Sequence, residues 1–91
     1  MYYVYVLHSS KDKGLYVGFS GNLRRRYHEH EIGAVQSTTG RRPLILIYYE
    51  AYLSLGDAES REVFLKSGAG RKFLDKQLKV YFEANPRAPA T

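Results

Sequence analysis

Residues 2–8 read YYVYVLH and residues 15–19 read LYVGF, joined by the polar stretch Ser9–Gly14. The first run is almost unbroken in β-branched and aromatic residues, which is the composition of a central strand buried on both faces. The second run is also strand-like. The connection between them is too short for a parallel crossover, so the two strands must pair as an antiparallel hairpin. Tyr5 and Tyr16 therefore stand on neighbouring strands, and Gly18 and Gly21 are expected to end the hairpin.

Working outward, Asn22 is placed to cap a helix from Leu23 to about Ile32, with Gly33 as its stop. Ala34 to Arg42 reads as a loop, and Pro43 leads into a third strand, Leu44 to Tyr52. Ser54 and Asp57 form an S-x-x-D capping pair for a second helix that runs to Lys66. Gly68 and Gly70 are expected to interrupt it. A third helix from Arg71 to about Ala84 would carry Leu74, Leu78, Tyr81 and Phe82 on one stripe and stop before Pro86. The order ββαβαα predicts an α/β fold, a small three-stranded antiparallel or mixed sheet flanked by helices. Residues 1–85 would form a single domain, and residues 86–91 a flexible, frayed tail.

At 91 residues the chain has room for one core. It contains no cysteine, which excludes disulfide staples and thiolate-bound zinc. No apolar run approaches the roughly 20 residues that span a bilayer, so no membrane role is expected. The start of the chain lacks the pattern of a secretion signal, and cytoplasm is the default location. Lysine and arginine outnumber aspartate and glutamate 14 to 9. The excess gathers at Arg24, Arg25, Arg26, Arg41 and Arg42 and again from Arg71 to Lys79, which favours a polyanionic partner, although on charge alone a solvated basic surface kept for solubility fits equally well.

Polar residues stand where apolar ones are expected. At about 100° per residue, Leu23, Arg26, Tyr27 and His30 share one helical stripe, although Arg24, Arg25, His28 and Glu29 show that the helix had other positions for charge. Taken singly, Arg26 could lay its methylenes on the core edge and His30 could be a satisfied core-edge histidine. Glu62 repeats the anomaly on the next helix, on a stripe with Leu55, Ala58 and Leu65. A carboxylate there needs a partner, either Arg26 in a buried ion pair or a hard cation such as Mg²⁺, which takes oxygen donors.

These residues resemble the GIY-YIG nucleases, especially small stand-alone bacterial members and the catalytic domain of structure-selective junction endonucleases. The likeness rests on Tyr3-Val4-Tyr5, on Tyr16-Val17-Gly18, on NLRRRYHEH at residues 22–30, and on Ala58 and Glu62 in an A-x-x-x-E pattern. It covers nearly the whole chain. It implies catalytic roles for Tyr5, Tyr16, Arg26, His30 and Glu62, with Glu62 as ligand to one divalent metal ion, Mg²⁺ or Mn²⁺. Tyr3 departs from the pattern by replacing a glycine, which ordinary strand dihedrals would tolerate. Lys72 is the nearest counterpart of a late asparagine or lysine found in some members.

The implied activity is hydrolysis of DNA phosphodiester bonds. Tyr5 would take the proton from water, with His30 and Tyr16 relaying it, while Arg26 holds a phosphoryl oxygen. Arg24, Arg25, Arg41, Arg42 and Lys72 would contact the nucleic-acid backbone. With no added base-reading element, cutting would follow DNA structure, branched or flapped, in repair or recombination, or depend on a targeting partner protein. The main rival is a non-catalytic nucleic-acid-binding module of the same fold. Another is a protein-interaction adaptor presenting Tyr48, Tyr49 and Tyr52, although these suit packing of the third strand better. Alternation alone leaves the face of Glu50 open.

Overall fold

The computed structural model describes residues 1–89. Its elements are β1 (Tyr2–Ser9), β2 (Leu15–Ser20), α1 (Leu23–Glu31), α2 (Gln36–Thr39), β3 (Leu44–Tyr52), α3 (Leu55–Lys66), α4 (Gly68–Gln77) and α5 (Lys79–Ala84). The sheet is antiparallel throughout, in the order β2-β1-β3, with β1 at its centre as its composition requires.

Alternation along β1 builds two cores. Val4 and Val6 join Val17 beneath Ala58, Leu65 and Leu74 of α3 and α4. Tyr5 and Leu7 join Leu44 on the opposite face, where Tyr16, Leu23, Tyr27 and Leu46 close over them. A bulge in β3 sets the rest of the arrangement: Val6 pairs with Tyr48 but Leu7 with Leu46, leaving Ile47 as the extra residue. Past the bulge, Tyr48 and Tyr52 turn to the α3 and α4 face, whereas strict alternation would have put them with Leu44 and Leu46.

α1 begins and ends as its sequence predicts. The Asn22 side chain accepts from the Arg25 N–H, and Gly33 takes a φ of +80° just past the helix. Other expectations change. Ala34 to Arg42 is not all loop, because α2 forms around buried Val35 and Thr38 despite its threonine-rich sequence. Gly18 does not end the hairpin; it lies within β2.

Ser54 occupies the N-cap position of α3, but its side chain makes no capping hydrogen bond. Gly68 and Gly70 do not stand outside the next helix, because Ser67 caps α4 through the Gly70 N–H and the helix starts at Gly68. Gly70 is required there for packing, since a Cβ would sit on the Phe64 carbonyl oxygen. The predicted third helix then breaks at Leu78 into α4 and α5.

Arg87 and Ala88, in the stretch expected to fray, are both hydrogen-bonded. Arg87 pairs with Asp75, and the Ala88 N–H donates to Lys13 O at 2.8 Å. Ala90 and Thr91 lie outside the described residues. Among the described residues no helix is long and apolar enough to cross a membrane.

Candidate active site

The site starts from an absence of side chain. Gly18 is the register partner of Tyr5, and a Cβ at Gly18 would collide with the Tyr5 phenol. The Tyr5 ring therefore lies across β2, toward the open edge of the sheet. α1 lies over this face and brings His30 down onto the ring. Tyr5 Oη and His30 Nε2 are 2.8 Å apart, and both residues are almost wholly buried. The Tyr16 ring meets the same imidazole edge-on, with centroids 5.2 Å apart.

On its far side, His30 Nδ1 lies 2.7 Å from Thr38 Oγ1, and that oxygen is 3.5 Å from the Val35 carbonyl. Burial, assisted by the nearby Arg26 charge, depresses the imidazole to about 4, so His30 is neutral at physiological pH. Burial likewise pushes the Tyr5 phenol up to about 12. Tyr16 and Glu62 add to that rise, and Arg26 opposes it. With the Thr38 hydroxyl donating to Val35 O, the direction of the line follows: Nδ1–H donates to Thr38 Oγ1, and Tyr5 O–H donates to Nε2. Every buried polar atom along it has a partner.

Arg26 stands at the mouth, 38% exposed, and donates to Glu29 at 3.1 Å. Its guanidinium is stabilised in the charged form first by Glu29 and then by Tyr5. Glu62 is half-buried on α3 and pairs with the exposed Lys66 at 3.3 Å. The buried Glu62–Arg26 pair weighed from sequence does not form. Each residue instead takes a partner from its own helix, and so Glu29 does not point away from Arg26 as expected. Glu62 still acts on Tyr5, since its carboxylate helps raise the phenol.

An i, i+4 pair whose lysine is exposed, such as Glu62–Lys66, contributes little and is readily exchanged. Among the described residues there is no cluster of three or more histidine, cysteine or acidic side chains that could hold a metal. What fits the donors is a hard cation held by the single carboxylate of Glu62, with water and phosphate oxygens completing its shell.

The remaining residues singled out from sequence divide. Arg24 and Arg25 are exposed on α1. Arg24 and His28 line an open groove of about 740 Å³ with Tyr3, Tyr27 and Tyr49, on the flank of α1 away from Arg26 and His30. Arg41 is bound to Asp12 at 2.7 Å, and exposed Arg42 donates to Thr39 O at 3.0 Å. Lys72 is exposed on α4, with no described bond to the site. Glu50 is on the far face, held by Arg61 at 2.8 Å and by the Tyr48 and Tyr52 hydroxyls, so those two tyrosines form no contact patch. Tyr3 sits in regular strand pairing and packs edge-on against Tyr49.

The GIY-YIG catalytic domain profile matches residues 1–74. The chain belongs to the GIY-YIG family. Its curated relatives include a UPF0213 protein of Clostridium perfringens, 40% identical over 67 residues, covering 72% of this chain and 71% of that protein. Another is a UPF0213 protein of Natronomonas pharaonis, 42% identical over 67 residues, covering 72% of this chain and 78% of that one. No solved structure matches the chain. GIY-YIG domains are a nuclease family, so nucleic acid is the class of substrate and a divalent metal the usual requirement. The matched span takes in β1 through most of α4 and contains Tyr5, Tyr16, Arg26, His30 and Glu62. Sequence reasoning missed Thr38 in this GIY-YIG domain. The signal available was a polar β-branched residue eight positions after His30, but only the fold brings it under the imidazole.

Proposed function

We propose that this GIY-YIG domain is a metal-dependent endonuclease that hydrolyses DNA phosphodiester bonds, selecting substrates by structure rather than sequence, in DNA repair or recombination. The observation that supports the reading best is the Tyr5–His30–Thr38 line beside Arg26, with Glu62 within electrostatic reach. A buried phenol hydrogen-bonded to a neutral imidazole has a path along which to pass a proton, and hydrolysis needs a proton acceptor next to a cation.

Tyr5 Oη lies within reach of Arg26 at the mouth, whose charge acts on it. In the proposed step it accepts a proton from the attacking water while its own proton passes to His30 Nε2. The water oxygen bonds to phosphorus, and the bond from phosphorus to the sugar oxygen breaks with its electron pair on that oxygen, which takes a proton from solvent. The proton received by His30 returns through Tyr5 to solvent. Thr38 accepts from Nδ1–H and holds the ring in the tautomer that leaves Nε2 open. Arg26 neutralises a non-bridging phosphoryl oxygen. Glu62 would hold the divalent ion, Mg²⁺ or Mn²⁺, which when bound supplies Lewis-acid neutralisation of phosphoryl charge. The direct hydrogen bond to His30 favours Tyr5 over Tyr16 as the base, and Tyr16 then serves to wall the imidazole. Arg24 and Arg25, exposed on α1, are suited to track the backbone.

The test is incubation with end-labelled duplex, nicked, flapped, branched and single-stranded DNA in Mg²⁺ or Mn²⁺, with Glu62→Gln in parallel. Metal-dependent cutting of branched or flapped forms, lost in the variant, is the expected result. Binding without cutting under every condition would identify a non-catalytic module instead.

A further inference from the structure

Three guanidinium groups converge outside the site described above. Arg71 lies on α4 with Asp75 one turn later, on the same side of the helix. Arg87 returns from beyond α5 to grip Asp75 with two bonds, Nε to Oδ1 at 2.7 Å and Nη2 to Oδ2 at 2.9 Å, and so sits beside Arg71. The next residue, Ala88, donates to Lys13 O and ties this segment to the β1–β2 turn. In that turn Asp12 holds Arg41 through Nε at 2.7 Å and Nη2 at 3.2 Å, and Arg41 Nη2 also reaches Leu15 O at 3.5 Å.

The two carboxylates are thus each occupied by another arginine. Arg71 is left over. Its Nη1 is buried and has no hydrogen-bond partner, the one such side-chain atom among the described residues. Burial, then the charges of Arg87 and Arg41, work against its positive charge. A desolvated donor beside two like charges is unfavourable for the protein alone, and an oxyanion with several acceptor atoms corrects both faults at once.

We propose that Arg71, flanked by Arg41 and Arg87, is the seat for one backbone phosphate of the nucleic-acid substrate. Leu15, which Arg41 touches, adjoins Tyr16 on β2, so a strand held there would run past the edge of the sheet on which Tyr5 opens. The assignment rests on the nuclease reading and names a contact that reading does not contain.

The test uses the full chain carrying Glu62→Gln, without metal, so that binding is read apart from cutting. Anisotropy of labelled branched DNA is followed across a salt series. Arg71→Met is expected to weaken binding about five- to tenfold and to lower the slope of log K against log salt by about one counterion, equally for unrelated sequences, whereas Arg71→Lys keeps the slope. Since Arg71→Met could fail to fold, the side-chain Nε–H resonance of Arg71 in otherwise unchanged, ¹⁵N-labelled protein gives a second reading, assigned by its loss in Arg71→Lys. It should move on addition of DNA.

An unchanged slope in a folded Arg71→Met, or an Arg71 resonance that saturating DNA leaves in place, overturns the proposal. A resonance that moves with inorganic phosphate but not with DNA overturns the backbone assignment in favour of a free anion. Failure of the unaltered protein to cut any DNA would instead overturn the nuclease reading, and the binding slope would still report on Arg71.

Discussion

The two faces of the sheet share their strands but treat buried polar groups in opposite ways. On the α3 and α4 face, Glu50 is saturated: two tyrosine hydroxyls and both arms of Arg61 meet it. Arg61 is itself enclosed by Phe64 and Phe73, whose ring centres lie 4.8 and 4.6 Å from its guanidinium carbon. On the α1 face, Tyr5, His30 and Thr38 form a line that is satisfied while neutral but ends beside Arg26, whose guanidinium is open to solvent. A closed ion-pair cluster has no lone pair or proton to lend, so it holds structure. A neutral line with an open end can accept a proton and pass it on. Charge and burial alone would have marked Glu50 as the more unusual carboxylate; the openness of its surroundings marks Glu62.

The contrast can be broken at several points, in descending size of effect. Glu62→Gln should lower cleavage about a thousandfold or more, roughly 4 kcal/mol of transition-state stabilisation, while the thermal midpoint stays within a few degrees. Single-turnover rates beside thermal melts would check it. Acid comes next. His30 is held at about 4 against an ordinary 6.5, so the unfolded chain takes up a proton at higher pH than the folded one. Its contribution to stability is complete above 6.5 and is lost as pH falls from there to about 4, at most roughly 3 kcal/mol. His8, on the other face, is also depressed by burial and acts with the same sign. Urea unfolding across that range should therefore show a flatter, not flat, profile in His30→Gln.

Arg61→Ala should cost about 2 kcal/mol of stability by uncovering Glu50, and should leave the cleavage rate of the folded fraction unchanged. Denaturant titration and an activity assay on the same sample would separate the two. Smallest is Thr38→Val, which removes the acceptor that fixes the His30 tautomer. Cleavage should fall about tenfold with DNA affinity unaltered, and Thr38→Ser should restore most of the loss. A drop in affinity equal to the drop in rate would assign Thr38 to binding.

How far the sequence shows this division depends on whether the relevant contacts are local. The central strand, the hairpin and the start and stop of α1 follow from residues within one or two turns of each other: the apolar run 2–8, the short Ser9–Gly14 link, Asn22 and Gly33. The inward stripe of Arg26 and His30 is equally local, because helical spacing alone reveals it. Glu50 could not be placed, because a single extra residue at Ile47 reverses every side chain that follows. α2 was hidden for a related reason: its threonines disfavour helix in isolation, and burial of Val35 and Thr38 overrides that preference. Gly18 looked like turn punctuation, and its purpose is visible only once Tyr5 lies across it. Of the two partners weighed for Glu62, Arg26 is set aside because two helices on opposite faces each offered a nearer ion, Glu29 to Arg26 and Lys66 to Glu62.

The claim that Tyr5 is the proton acceptor of an open, neutral line is tested most directly by the single-turnover cleavage rate of Tyr5→Phe at saturating DNA and metal, followed against pH. The unaltered protein should cut at a rate that stays flat between about pH 7 and 9, because the line with a neutral phenol, raised to about 12, and a neutral imidazole, held at about 4, is the populated form throughout. Tyr5→Phe should bind the same DNA, fold as before and cut at least a thousandfold more slowly. Cleavage by Tyr5→Phe at the unaltered rate, or a rise of about tenfold per pH unit in the unaltered protein, would contradict the account.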